Sequence, residues 1–164
     1  MISGRMSSAL EEHVSAEIAS AYLYLAMSAY CEAKAFKGFG RWFRVQFQEE
    51  VQHGTKMLEY LLARGCHVSF KPIAAPPSDF GSILQVFEKT LEHERLVTDR
   101  VHRLYDLALS EKDTATQVFL QWFIAEQVEE EARTSEIVDK LRMVSDRPSA
   151  SLYLDKEYGK RGEG

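Results

Sequence analysis

Four glutamates of this sequence occupy positions where a helical pattern calls for an apolar side chain. Hydrophobic residues recur at steps of three and four along four segments, and the charged exceptions are Glu17, Glu50, Glu94 and Glu130. A lone carboxylate in a dry core is destabilising unless it is paired, protonated or bound to a metal ion. Four such carboxylates in one small protein need a common explanation, and a shared metal site supplies one.

The spacing of the polar positions is duplicated between the two halves of the chain. In each half, a glutamate is followed 33 and 36 residues later by two further polar residues: Glu17, Glu50 and His53 in the first half, Glu94, Gln127 and Glu130 in the second. Residues equidistant from the turn of an antiparallel helical hairpin lie at the same height. Each hairpin therefore brings its polar residues level, and we expect the two sets to meet in one layer.

The types of these residues indicate which metal they would bind. Four carboxylates carry four negative charges, which two divalent ions would neutralise. Carboxylates with a single imidazole suit iron or manganese better than zinc, which tends to draw histidine and cysteine. We expect two iron ions, which together can transfer two electrons to O₂. Without metal, the clustered acids should raise one another's pKa values.

Long helices must position these residues, and the pattern predicts an all-α four-helix bundle. Glycines and prolines separate the periodic segments, with Pro72, Pro76 and Pro77 in the central connector. The second and third helices should run parallel, joined by a long crossover. The predicted single domain covers 1–164, with helices at roughly 5–34, 38–65, 81–109 and 113–144 and a short C-terminal helix at 149–157.

Composition excludes several classes of protein. The chain has 164 residues and a formal net charge of −5, and it lacks the basic stripe expected of a nucleic-acid-binding protein. The longest apolar stretch is too short to span a bilayer, and no secretory signal begins the chain, so we expect a cytoplasmic protein. Cys31 and Cys66 do not suffice for a disulfide framework or a thiolate metal site.

The motifs resemble those of the ferritin family, in particular its bacterial non-haem members, over essentially the whole chain. The segments that carry the resemblance are Glu17 with Tyr24, Glu49-Glu50-Val51-Gln52-His53, His93-Glu94, and Phe119 to Trp122 leading into Glu126-Gln127-Val128-Glu129-Glu130. The resemblance implies an iron-storage ferroxidase. Such a protein oxidises Fe(II) with O₂ or H₂O₂ and deposits Fe(III) mineral inside a hollow homo-oligomeric shell, here of 24 subunits.

The resemblance also implies roles for individual residues. Glu17, Glu50 and His53 would hold one iron ion, and Glu94 and Glu130 a second, with Glu50 bridging the two. Two further residues would lie near the reacting oxygen: Gln127 and Tyr24. A third iron site is implied at three acids beside the seam, with Glu130 shared: Glu49, Glu126 and Glu129. From the residues alone, these three acids equally fit a charged face turned to water.

Haem is not expected. Bacterioferritins carry a haem-binding methionine directly after the first glutamate of this motif, and here that position is Val51. Their second half also carries Glu-x-x-His, where this chain has Gln127-Val128-Glu129-Glu130. Of the other polar residues, we expect His13 to face outward or to cap a surface pair, and His93 to lie beside the site. Gly54, within a predicted helix, should mark close packing or a local bend.

Two other functions fit the same residues. One is a rubrerythrin-like peroxidase or small diiron oxidase without storage, although paired Cys-x-x-Cys motifs of a rubredoxin-type tail are absent from the sequence. The other is a helical scaffold whose core acids serve only as a hydrogen-bond network. Particle size would distinguish the first from a storage shell, and stoichiometric metal binding would exclude the second.

Overall fold

A computed structural model describes residues 1–145 and 147–162 as five α-helices, with no strand among them. The helices are α1 (Gly4–Ala33), α2 (Lys37–Ala63), α3 (Ile83–Ser110), α4 (Thr114–Met143) and α5 (Pro148–Tyr158). Positions 146, 163 and 164, which the predicted domain includes, lie outside the described residues. None of the described helices is long and apolar enough to cross a membrane.

Capping side chains determine where three of the helices begin. The Ser3 hydroxyl accepts a hydrogen bond from the Met6 amide at the start of α1. Ser82 forms a reciprocal capping box with Gln85 at the start of α3, and Asp113 accepts from the Thr116 amide before α4. Such caps satisfy amide groups that have no partner within the helix.

The helices pair as two antiparallel hairpins, α1 with α2 and α3 with α4. Near the first turn, the Ser28 hydroxyl donates to the carbonyl oxygen of Gly40 at 2.7 Å. Near the second turn, the Gln117 amide donates to the carbonyl oxygen of Ala108 at 3.1 Å. The segment 64–82 crosses between the hairpins, so α2 and α3 run parallel. The predicted four-helix bundle with a long crossover and a short fifth helix is confirmed.

The core consists of two apolar clusters with a polar layer between them. At one end, aromatic rings dominate, including Phe39, Trp42, Phe43 and Phe87. At the other end, aliphatic and thioether side chains dominate, including Met6, Leu10, Met57, Leu61 and Leu120. On each of the four long helices, the buried glutamate lies in sequence between residues of the two clusters. The site is therefore closed above and below by packed apolar side chains.

The short helix α5 is attached to the beginning of α2. The Asp155 carboxylate accepts hydrogen bonds from the backbone amides of Gly38 at 3.1 Å and Phe39 at 2.8 Å. Gly159 packs directly on Gly38, since a methyl group at Gly159 would lie 2.6 Å from the Gly38 Cα. An acid at a helix N-terminus is favourable because free amides and the helix dipole both attract it.

This close approach leads to a prediction about stability. A methyl group at Gly38 would lie 1.8 Å from the carbonyl oxygen of Asp155, so Gly38→Ala must displace α5 from α2. We expect a loss of about 1–3 kcal/mol in the free energy of unfolding, typical of an overpacked contact. Chemical denaturation measures this loss. The matched control is Gly4→Ala, which has open space around it and should cost nothing; equal stability of the two variants would contradict the prediction.

Candidate metal centre

Three buried side chains form a group that could hold a metal ion. Glu17 comes from α1, and Glu50 and His53 come from adjacent turns of α2. Each offers one ligand atom, and the three atoms lie within 4.8 Å of one another. All three residues are at most 5% exposed. The structure thus brings together the set that the sequence proposes for the first iron ion.

The other two glutamates lie in the same layer, contributed by α3 and α4. Glu94 is fully buried and Glu130 is 1% exposed. The side-chain amide of Gln46 donates to Glu130 at 2.8 Å and to Glu50 at 3.3 Å, so one amide group connects the two acids. Acids from both hairpins therefore come within reach of the same donor.

The two further residues that the sequence places near the site both bind Glu94. The Tyr24 hydroxyl donates to one carboxylate oxygen of Glu94. The Gln127 amide donates to the other oxygen at 3.1 Å and to the Glu94 backbone carbonyl at 3.2 Å. His93 lies beside this group, as expected, with its Nε2 2.8 Å from the Ser20 hydroxyl.

One buried carboxylate oxygen has no hydrogen-bond partner. It is Oε2 of Glu17, and within the described part of the chain nothing donates to it. A buried acceptor without a donor is costly, and native proteins rarely tolerate one unless a ligand satisfies it. The residues present therefore suit a cation at Glu17.

The expectation that His13 faces outward is wrong. His13 is 4% exposed, and its Nε2 lies 2.7 Å from Oε1 of Glu17. Its ring also meets the edge of Phe123, with centroids 6.4 Å apart. Because His13 precedes Glu17 by four residues, both occupy the same face of α1. The spacing that identifies Glu17 as an inward residue therefore also predicts that His13 faces inward.

Gly54 of α2 packs against Glu17 and Ile18 of α1, beside the site. A methyl group there would come within 3.0 Å of Ile18 Cδ1 and 3.4 Å of Glu17 Cβ. The structure thus favours close packing over a bend as the reason for this glycine. A larger residue would press on the backbone that carries Glu17.

Burial and neighbouring charges shift the pKa values of the central acids in opposite directions. Burial raises the pKa of Glu94 to about 8, with a further contribution from neighbouring Glu130. Burial also raises the pKa of Glu50 well above its usual range, helped by the charges of Glu17 and Glu94. For Glu17, burial would raise the pKa, but His13 and Glu50 outweigh it and bring the pKa to about 2. Glu94 therefore keeps its proton at neutral pH, and metal binding there must release it.

The acids of the implied third site are arranged differently. Glu49 and Glu126 are about one-third exposed, and with His53 they line a surface cavity of about 500 Å³. Glu49 is held by Arg133, at 3.4 Å, and by Arg161, while Glu129 is exposed. Glu126 lies 3.9 Å from Nε2 of His53. In the described part of the chain, these acids do not form a second three-ligand group of the kind found at Glu17.

Sequence reasoning missed two residues that bind the central acids and a third that binds one of these two. Gln46 lies four positions before Glu50 on one face of α2, so the spacing alone predicts that Gln46 faces the site. Arg133 lies three positions after Glu130 and donates to it at 3.3 Å. Arg161 donates to Gln46 at 2.8 Å from beyond α5. No periodicity points to Arg161, because its position depends on how α5 docks.

The raised pKa values predict how the stability of the metal-free protein depends on pH. Between pH 5 and 8, folded Glu94 keeps a proton that the unfolded chain has lost, so stability should fall as the pH rises. Each such group changes the unfolding equilibrium by up to about tenfold per pH unit. Glu17 contributes nothing in this window, because it is ionised in both states. Denaturation midpoints at pH 5.5, 6.5 and 7.5 measure the slope.

The Glu94→Gln variant is the control for this pH dependence. Its amide cannot titrate, so the slope should become shallower while the variant stays folded. Stability that rises between pH 5.5 and 7.5, or an unchanged slope in the variant, would show that Glu94 is not the responsible group.

Comparison with known proteins shows which family this chain resembles. The family model for the ferritin-like domain matches residues 7–144. Bacterial non-heme ferritins of Bacteroides fragilis and Staphylococcus aureus are 43% and 39% identical over 161 residues. These matches cover 98% of this chain, and 100% and 97% of the respective relatives.

A solved structure agrees with the sequence matches. The open pore ferritin from the hyperthermophilic archaeon Archaeoglobus fulgidus superposes with a TM-score of 0.97 at 48% identity, covering 98% of this chain and 99% of that one. Identity of this extent over nearly the whole length confirms the resemblance that the motifs indicated. This chain belongs to the ferritin family.

Proposed function

We propose that this protein stores iron and is a ferroxidase, which oxidises Fe(II) at a dinuclear centre in each subunit. Membership of the ferritin family and the ferritin relatives support iron storage. The observation that carries the oxidase activity is the layer of four buried glutamates, one of which keeps an unpartnered oxygen. Fe(III) mineral then accumulates within a homo-oligomeric shell of 24 subunits.

The two oxygens of Glu50 support its role as the bridge. Oε2 lies 3.3 Å from Nδ1 of His53, on the side of the three-ligand group. Oε1 accepts from the Gln46 amide, which also donates to Glu130. One carboxylate thus faces both sets of ligands, as a bridge between two metal ions requires. Glu17 and His53 would complete the ligand set of the first ion, and Glu94 and Glu130 would bind the second.

The chemistry balances with iron and O₂ as substrates. Two Fe(II) ions give two electrons to one O₂, and in water two FeOOH, one H₂O₂ and four protons result. Two divalent ions match the charge of four ionised carboxylates, so binding must drive the proton off Glu94. Tyr24 and Gln127 hold the Glu94 carboxylate in place while this happens. The cavity beside His53 and Glu126 gives solvent access to the centre.

Aerobic loading with Fe(II), followed by desalting, tests storage directly. We expect far more iron per chain in the eluted particle than a dinuclear centre holds, and a particle much larger than a dimer. A plateau at two iron ions per chain would indicate a non-storage oxidase. Retention of no iron would exclude a metal centre and leave a hydrogen-bonded scaffold.

The Glu50→Gln variant tests the bridge. An amide can ligate one ion but is a poor bridge, so we expect oxidation to slow at least about tenfold. Stopped-flow absorbance of Fe(III) formation measures the initial rate. The matched control is Glu92→Gln on exposed surface of α3, which should oxidise iron at the wild-type rate. A Glu50→Gln variant as fast as this control would rule out the bridging role.

A further inference from the structure

The backbone turn that follows α5 carries an arginine into the neighbourhood of the metal centre. Arg161 is only 14% exposed in its side chain. One of its guanidinium nitrogens donates to Oε1 of Gln46 at 2.8 Å, and another donates to Glu49. The guanidinium carbon lies 4.5 Å from the centre of the Trp42 ring. Three separate contacts thus hold this side chain against α2.

The contact with Gln46 determines which way the Gln46 amide faces. A guanidinium group offers only donors, so the oxygen of the amide must face Arg161. The NH₂ group then faces the acids and donates to Glu130 at 2.8 Å and Glu50 at 3.3 Å. In the reverse orientation, the NH₂ group of Gln46 would face the guanidinium donors of Arg161. The amide oxygen would then face the carboxylate oxygens of Glu50 and Glu130. Arg161 therefore orients the donor shared by the bridging acid and Glu130.

The contact with Glu49 neutralises an acid on the wall of the cavity. Glu49 is approached by two cations, Arg161 and Arg133, the latter at 3.4 Å. A metal ion at Glu49 would have to displace these guanidinium groups or lie beside their positive charge. The implied third iron site is thus disfavoured by side chains of the same subunit.

The position of Arg161 is fixed by the docking of α5 and not by a free tail. Asp155 of α5 accepts from two amides at the start of α2, and Gly159 lies on Gly38. These contacts come within six residues of Arg161, on the helix that leads into its turn. The guanidinium group is therefore delivered to Gln46 by a packed element.

We propose that Arg161 is a positioning residue of the dinuclear centre, which orients Gln46 toward Glu50 and Glu130 and, by holding Glu49, restricts the centre to two metal ions. This inference rests on the proposed dinuclear centre. Arg161 does not contact the substrate. Through Gln46, Arg161 strengthens the binding of the second ion. Through Glu49, it prevents the binding of a third ion.

Anaerobic Co(II) titration of the metal-free protein tests this role without depending on oxidation. Calorimetry and the visible absorbance of bound cobalt give the number of ions and their affinities. We expect two ions per wild-type chain. In Arg161→Met, which keeps an apolar stem against Trp42, the second ion should bind about tenfold more weakly, and a third should bind at Glu49. Lys156→Ala, an exposed change on α5, is the matched control and should titrate as the wild type.

A double-mutant cycle separates positioning from a general loosening of α5. In a Gln46→Leu background, Arg161→Met should not weaken the second ion further, because its effect passes through Gln46. Arg161→Lys should restore only part of the affinity, since an ammonium group cannot hold Gln46 and Glu49 with one planar fork.

The outcomes distinguish this inference from the proposed function. A wild type that binds no cobalt would overturn both. Two cobalt ions in the wild type, with Arg161→Met titrating like Lys156→Ala, would overturn the role of Arg161 alone. Additive losses in the double variant would overturn the action through Gln46, and a two-ion limit in Arg161→Met would overturn the restriction through Glu49.

Discussion

The need to bury four carboxylates in one layer constrains the rest of this structure. Each acid loses water on folding, which favours the neutral form, and for Glu50, Glu94 and Glu130 the charges of neighbouring acids add to this effect. The pKa of Glu94 reaches about 8 for these two reasons. Apolar clusters above and below leave the cavity beside His53 as the route for water into the layer, so most polar contacts of these acids must come from the protein or from a bound cation. The helices, their caps and α5 serve to hold that layer.

The repeated spacing conceals a chemical difference between the two halves. At equivalent places, the first hairpin has Glu50 and His53, and the second has Gln127 and Glu130. The first set leaves an oxygen of Glu17 without a partner, whereas Glu94 accepts hydrogen bonds at both of its oxygens. Without metal, one half is therefore open to a cation, and the other is closed by its own donors.

Much of this arrangement could be predicted from spacing because helices convert sequence separation into height and direction. The layer of acids, the hairpins and the crossover all follow from that rule, and the same rule would have placed Gln46 and His13 inside. Arg161 is a different case. Its contacts with Gln46 and Glu49 depend on where α5 docks, and a separation of more than 110 residues carries no periodic signal.

The three-ligand group comes entirely from residues 17–53, within a single hairpin. During synthesis, the chain emerges in order, and this hairpin can form before α3 or α4 has left the ribosome, since contacts between neighbouring helices close rapidly. Glu94 and Glu130 become available only when the second hairpin docks. The three-ligand group, with its imidazole, is thus complete once the first hairpin has formed, whereas the proposed dinuclear centre also needs the second hairpin.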